Sequence, residues 1–225
     1  MFSRKSKIVH EHVPAHPSYP NPANPPPGLY LIPNFVTEAE EQEMVDFLLK
    51  NQWQDHMSAK RPTQHFGYKY LRSGGIDRHK KVAGDWDVLQ KYADRLEKIF
   101  PGVKIGQVLA NLYYHDTGIG AHRDKETDLI FGISLVGDIN MTMKRTQNVE
   151  GVASTIKYKF LVPRRSLYIF VDDAALLWTH EISVTKSVEY PEMDPLASDY
   201  GKLKTKLPKG KEYIRISITF RDMNE

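Results

Sequence analysis

A chain of 225 residues, 40% of them hydrophobic and 26% charged, is long enough to bury its own core, and no apolar run approaches the roughly 20 residues that span a bilayer. Cysteine is absent, which removes disulfides, thiolate zinc sites and cysteine nucleophiles and leaves imidazole and carboxylate to hold any metal. The net charge of +3 and pI near 8.8 reflect a mild basic excess, gathered at Arg72, Arg78, His79, Lys80 and Lys81 and again from Lys202 to Lys211; such clusters either contact phosphates or form a solvated lysine face.

Arg4, Lys5 and Lys7 open the chain without an apolar segment behind them, so no secretory signal is expected. Together with the lack of cysteine, this fits a reducing compartment, and the expected location is the cytoplasm, with the nucleus as a second site and no membrane partner. Seven prolines between Pro14 and Pro27, with little apolar content, predict an extended tail over residues 1–27 and a folded domain over 28–225. Thr37 and Glu40 form a capping-box pattern ahead of Met44, Val45, Leu48 and Leu49 at helical spacing. Asp85 is placed to cap a second helix carrying Trp86, Leu89, Ala93, Leu96 and Phe100, which Pro101-Gly102 stops. Between the helices, the aromatic alternation from Gln64 to Arg72 predicts a strand or hairpin.

From Val103 onward short β-type runs are broken by Gly, Asp and Asn. They centre on 104–114, 119–123, 129–136, 138–145, 154–162, 166–171, 176–183 and 212–221. About eight strands at this spacing, after two helices, predict an α+β fold: a double-stranded β-helix, or jelly roll, buttressed by the two N-terminal helices.

The candidate chemistry lies on these strands. His122 and Asp124 follow the turn Gly118-Ile119-Gly120 and, two residues apart on a strand, point the same way. His180 on a later run completes two imidazoles and a carboxylate, a set that leaves three positions open on Fe(II) for co-substrate and O2. The run Tyr213–Arg221 puts Arg215, Ser217, Thr219 and Arg221 on one face and Ile214, Ile216, Ile218 and Phe220 on the other. With the isoleucine face in the core, the two arginines point into the barrel, where a dicarboxylate offsets their charge; otherwise that face meets solvent. Asn111 and Tyr113, also two apart, offer an amide and a phenol to the same carboxylates, or Tyr113 is a core residue. His122-Arg123-Asp124 is not a kinase loop, because Leu129 stands where its Asn belongs and no Asp-Phe-Gly follows. His115-Asp116 cannot chelate as His122 and Asp124 can, since neighbours on a strand face opposite ways.

Taken in order, Asn111-x-Tyr113, His122-x-Asp124, His180 and Arg215-x5-Arg221 resemble the AlkB-like Fe(II)/2-oxoglutarate dioxygenases from about Pro27 to the C-terminus. The resemblance implies iron held by His122, Asp124 and His180, and the distal carboxylate of 2-oxoglutarate held by Arg215 with Asn111 and Tyr113. It places Arg221 near the iron-side carboxylate, with Ser217 as a neighbouring polar group. It also implies O2 as oxidant, with succinate and CO2 formed as a substrate C–H bond is hydroxylated. Gln64-His65-Phe66-Gly67-Tyr68, Pro163–Leu167 and Leu177–Ile182 are similar to the branch that hydroxylates 5-methoxycarbonylmethyluridine at the tRNA wobble position, as is the long insert between His180 and Arg215. A separate tRNA methyltransferase would then supply the ester. The stretch His122–Glu126 is also similar to the DNA- and RNA-demethylating members, in which the acid at Glu126 reads the base. Substrate contacts are expected from the aromatic strip His65, Phe66, Tyr68 and Tyr70 by stacking, from Glu126, and from Lys204 and Lys206 on the nucleic-acid backbone. A jelly roll that only binds RNA or protein, or one that hydroxylates protein, are the readings from other classes.

Overall fold

Sequence alternation decides which side of each strand meets the helices and which faces the barrel. The computed structural model describes residues 25–55, 61–71, 75–82, 84–124, 127–149 and 152–224, together with Lys5, Lys7, Val9 and Glu11. Its elements are β1 (Leu29–Ile32), α1 (Glu38–Lys50), β2 (Gln54–Asp55), β3 (Pro62–Tyr70), β4 (Ile76–Lys81), α2 (Asp87–Ile99), β5 (Ile105–Tyr114), β6 (Ile119–His122) and β7 (Leu129–Leu135). They continue as β8 (Ile139–Val149), β9 (Val152–Val162), β10 (Leu167–Val171), α3 (Asp173–Leu176), β11 (Thr179–Ile182), β12 (Ser187–Pro191), β13 (Leu203–Pro208) and β14 (Ile214–Asp222).

One sheet runs β1-β10-β7-β14-β5-β3-β2 with β4 beside β3; the second runs β6-β11-β8-β9, and β12 and β13 form a separate hairpin. The eight runs read from Val103 onward are β5 to β11 and β14, and they supply the two four-stranded halves of the jelly roll. β14 is central, with Ser217 opposite Asn111 on β5 and Ser134 on β7. Its Ile216, Ile218 and Phe220 are fully buried in the cluster that α1 and α2 complete with Met44, Leu48, Leu89 and Leu96. Each such side chain contributes about 1.5–3 kcal/mol of burial, which fixes the register, since a one-residue slip would exchange isoleucines for arginines. The other face of the sheet packs with Met141, Met143 and Phe160 of the opposite sheet in a second cluster, which also holds Tyr113.

The Thr37–Glu40 capping box forms: Glu40 N–H donates to Thr37 Oγ1 at 3.2 Å and Thr37 N–H to Glu40 Oε2 at 2.8 Å. Glu41, one residue on, is buried and accepts from Arg164 and from Val136 N–H, tying α1 to the edge of the sheet. Four details differ from the sequence reading. Leu49 is 60% exposed, because α1 turns only its Met44 and Leu48 stripe inward. Asp85 accepts the Asp87 N–H at 2.9 Å, but Trp86 is the N-cap and the helix starts later than expected. The run 176–183 is not one strand: α3 ends at Leu176, after Asp172 with φ +51°, and β11 begins at Thr179. The lysine-rich segment after residue 202 is itself a strand, β13, paired with β12.

Of the seven prolines on which the extended tail was read, Pro14 to Pro27, the four up to Pro22 lie outside the described residues. What is described ahead of them is helical: Lys5, Lys7, Val9 and Glu11, with Val9 buried in the helix-side cluster and Lys5 Nζ ion-paired to Asp128 at 2.7 Å and Asp222 at 2.9 Å. The segment is thus not simply extended, because one apolar side chain and one ammonium anchor it. Among the described residues no helix is long and apolar enough to cross a membrane.

Gly132 on β7 lies opposite Tyr168 on β10, and a Cβ there would fall inside the phenol ring. The missing side chain lets Tyr168 lie across the sheet and its hydroxyl reach Ser217 Oγ at 3.0 Å. Gly132→Ala is expected to cost about 1–3 kcal/mol by overpacking, read as a lower urea midpoint at unchanged slope. A variant as stable as the parent would show that Tyr168 can move aside.

Candidate active site

β6 and β11 pair so that His122 stands opposite His180, and the two imidazole centroids are 4.2 Å apart. The approach depends on Gly118, where a Cβ would overlap the Ile182 carbonyl. β6 ends at His122, so Asp124 lies two residues beyond the strand and not on it, as the two-residue spacing had suggested. It still turns inward. One donor atom from each of His122, Asp124 and His180 lies within 4.8 Å of the others, the spacing of ligands around one metal ion. His122 Nδ1 is 2.8 Å from the Gly120 carbonyl, which can only accept; Nδ1 therefore carries the proton and Nε2 is left as the ligand atom. His180 Nε2 lies 3.9 Å from Asp124 Oδ2.

Charge is arranged to suit a cation. Burial alone would raise the Asp124 carboxyl, but Arg221, donating to Oδ1 at 2.8 Å, and the two imidazoles outweigh it and hold the group well below the usual carboxylate range. Burial pushes His180 down to about 4, so it is neutral at physiological pH with a lone pair to offer. Arg221 also donates to Gln107 Oε1. Its place on the metal-ligand carboxylate itself is closer to the triad than the sequence reading put it.

The triad opens into a cavity of about 460 Å³, within the roughly 300–1,000 Å³ of small-molecule sites. Asn111, Tyr113, Ser217 and Arg221 line it. Arg215 is fully buried beneath Tyr113, its guanidinium 5.2 Å from that ring centroid. Its Nε donates to Ser134 Oγ at 2.9 Å, while Nη1 and Nη2 are buried with no hydrogen-bond partner among the described residues. A guanidinium in that state is costly unless an acceptor arrives, and a carboxylate fits its two parallel donors. The donor set and this orphaned fork therefore fit Fe(II) and a dicarboxylate co-substrate.

Sequence reasoning missed Arg61. It is 6% exposed, lines the cavity, donates through Nε to Asn111 Oδ1 at 2.9 Å, and lies 5.5 Å from the Tyr113 ring centroid. The contact orients the Asn111 amide with its nitrogen free to donate elsewhere. No periodic pattern marks Arg61, which immediately precedes β3.

The expected aromatic strip does not form as one surface. His65 lines the cavity beside Thr63. Phe66, the next residue along the strand, faces the other way and packs on Phe47 of α1, 5.7 Å between centroids. Tyr68 packs over Gly106 and under Lys81 Nζ, 5.5 Å from its centroid, and does not line the cavity. Strand alternation corrects the strip to His65 alone; the Tyr70 side chain and Glu126 lie outside the described residues. Lys204 is paired with Glu192 at 3.3 Å and Asp199 at 3.2 Å, and Lys206 with Glu189 at 3.4 Å; neither lines the cavity.

Residues 28–221 match the family model described as the 2OG-Fe(II) oxygenase superfamily. The chain belongs to that superfamily. It is an Fe(II)- and 2-oxoglutarate-dependent oxidoreductase that uses O2. Among curated proteins it is 29% identical over 178 residues to the "Alkylated DNA repair protein ALKBH8 homolog" of Arabidopsis thaliana, covering 69% of this chain and 51% of that one. It is 26% identical over 216 residues to "tRNA (carboxymethyluridine(34)-5-O)-methyltransferase ALKBH8" of Macaca fascicularis, covering 89% of this chain and 31% of the relative. The chain thus spans about half the length of the first of these relatives and about a third of the second. The fold is that of "The structure of OsALKBH1", with a TM-score of 0.56 at 15% identity over 90% of this chain and 100% of that one.

Proposed function

We propose that the AlkB-like oxygenase of residues 28–225 acts on nucleic acid and hydroxylates a modified wobble uridine, 5-methoxycarbonylmethyluridine, in tRNA, in the cytoplasm or nucleus. The observation that carries the oxidative part is one cavity with the His122-Asp124-His180 donors on its wall and the orphaned Arg215 guanidinium behind Tyr113. In this reading iron, when bound, supplies O2 activation at the expense of 2-oxoglutarate. His122, Asp124 and His180 hold it; Arg215, with Asn111 and Tyr113, holds the distal carboxylate; Arg221 sets the charge of Asp124, and Ser217 adds a polar contact. The buried walls exclude water from the reacting carbon.

Support for nucleic acid comes from the mouth of the site. β3, which contributes Thr63 and His65 to the cavity, continues into a hairpin whose Lys69, Lys80 and Lys81 are exposed, with no acidic partner among the described residues. Such a hairpin can follow a phosphate backbone while His65 stacks on an extruded base. Support for tRNA comes from the macaque relative's name, which concerns carboxymethyluridine 34. A separate methyltransferase partner would supply the ester. A second reading, oxidative demethylation of N-alkylated bases, draws on the Arabidopsis relative's name.

Nucleoside mass spectrometry of tRNA treated with the protein, Fe(II) and 2-oxoglutarate separates the two. A gain of 16 mass units on the ester-bearing uridine is expected (about one oxygen atom added); loss of N-methylated bases with that uridine untouched would favour the second. Arg215→Met is expected to weaken 2-oxoglutarate binding at least about 30-fold, from the roughly 2–5 kcal/mol of truncating one side of a buried charge pair. Calorimetry checks this, and unchanged affinity would show that the carboxylate binds elsewhere.

A further inference from the structure

Lys209 lies in the turn between β13 and β14. Its backbone N–H donates to the Lys186 carbonyl at 2.8 Å, and its ammonium stands 4.7 Å from the centroid of the Tyr213 ring. Neighbouring Lys202 and Lys211 are exposed, whereas Lys209 Nζ is shut off from solvent and has no hydrogen-bond partner among the described residues. The terminal nitrogens of Arg215, two residues beyond Tyr213 on β14, are in the same condition. The fully buried Arg215 guanidinium and the enclosed Nζ of the half-buried Lys209 thus sit within electrostatic reach of each other, and none of the ion pairs among the described residues involves either. Burial, reinforced by Arg215, pushes the Lys209 ammonium down to about 8.

We propose that Lys209 is a second cationic contact for the distal carboxylate of 2-oxoglutarate, acting beside Arg215 and sharpening selection of a dicarboxylate over a monocarboxylate keto acid. This rests on the reading of Arg215 as the carboxylate anchor. A carboxylate has about four lone-pair positions, enough to accept from a planar guanidinium fork and from an ammonium at once. Tyr213, whose hydroxyl donates to the Asp138 carbonyl at 2.6 Å, is held as a floor under the ammonium. The turn is fixed by its backbone: Lys209 N–H donates to the Lys186 carbonyl at 2.8 Å and Tyr213 N–H to the Gly210 carbonyl at 3.0 Å.

The test is calorimetric binding to the Mn(II)-loaded full chain of 2-oxoglutarate and of 2-oxopentanoate, which has the same carbon chain without the distal carboxylate. Lys209→Met is expected to weaken 2-oxoglutarate at least about tenfold, the worth of one hydrogen bond to a charged group. It should leave 2-oxopentanoate and Mn(II) unchanged, and Lys209→Arg should keep most of the preference. Equal weakening of both keto acids, or 2-oxoglutarate bound as tightly as by the parent, overturns the role of Lys209. Arg215→Met in parallel separates the two readings. If it too leaves the preference intact, the anchor assignment fails and Lys209 with it; if it abolishes the preference while Lys209→Met does not, only the Lys209 proposal fails.

Discussion

Arg221→Met is expected to lower the folding stability of the metal-free protein by about 3–5 kcal/mol, the usual cost of removing one partner from a buried ion pair. Arg221 is 3% exposed and the side chain of its partner Asp124 only 11%, so the carboxylate left behind has little solvent to replace the guanidinium. The pH dependence has a definite sign. In the parent, the carboxyl of Asp124 is held below its unfolded value of about 3.9, so the pair stabilises above that pH and the contribution fades as pH falls through the folded value. The gap between parent and variant should therefore be widest near neutrality and close on acidification. Metal should narrow it as well, because a bound cation compensates Asp124 in place of Arg221. Urea melts at two pH values, with and without Mn(II), read both effects. A gap indifferent to pH and metal would mean that Arg221 acts through its packing against β5 and β7 and not through Asp124.

His180→Ala and Asp124→Asn are expected to abolish turnover and to weaken metal binding by more than about 100-fold, beyond the roughly 10- to 100-fold lost when only a supporting hydrogen bond is removed. Asp124→Asn is the sharper variant, since an amide keeps an oxygen to accept from Arg221 while losing the charge the metal needs. His180→Ala removes a neutral, largely enclosed imidazole whose ring lies tilted against Phe170, 5.1 Å between centroids; a modest stability loss with complete loss of metal separates its two roles. Equilibrium dialysis against Mn(II) measures the affinity, and retained binding in either variant would exclude that residue from the ligand set.

Much of this was legible in the residues. The eight jelly-roll strands could be read because each alternates or runs apolar between turn residues, and β14 announced its two faces through isoleucines set against Arg215, Ser217, Thr219 and Arg221. What escaped did so for physical reasons. β13 reads as a charge cluster because five lysines mask an alternating Leu203-Lys204-Thr205-Lys206-Leu207, and only its pairing with β12 makes it a strand. Phe66 and Tyr68 are as aromatic as a stacking platform should be, but composition does not say which face of β3 meets α1. Arg61 carries no local signal; its importance arises from Asn111, 50 residues away in sequence. Asp124 lies just past the end of its strand, where backbone periodicity no longer dictates direction, and Arg221 draws it inward.

A crystal structure of the protein with Mn(II) and 2-oxoglutarate tests the central assignment most directly. The metal is expected on His122 Nε2, Asp124 and His180, with the keto acid's far carboxylate against the Arg215 guanidinium. A metal bound by any other residues, or a co-substrate whose far end avoids Arg215, would contradict it.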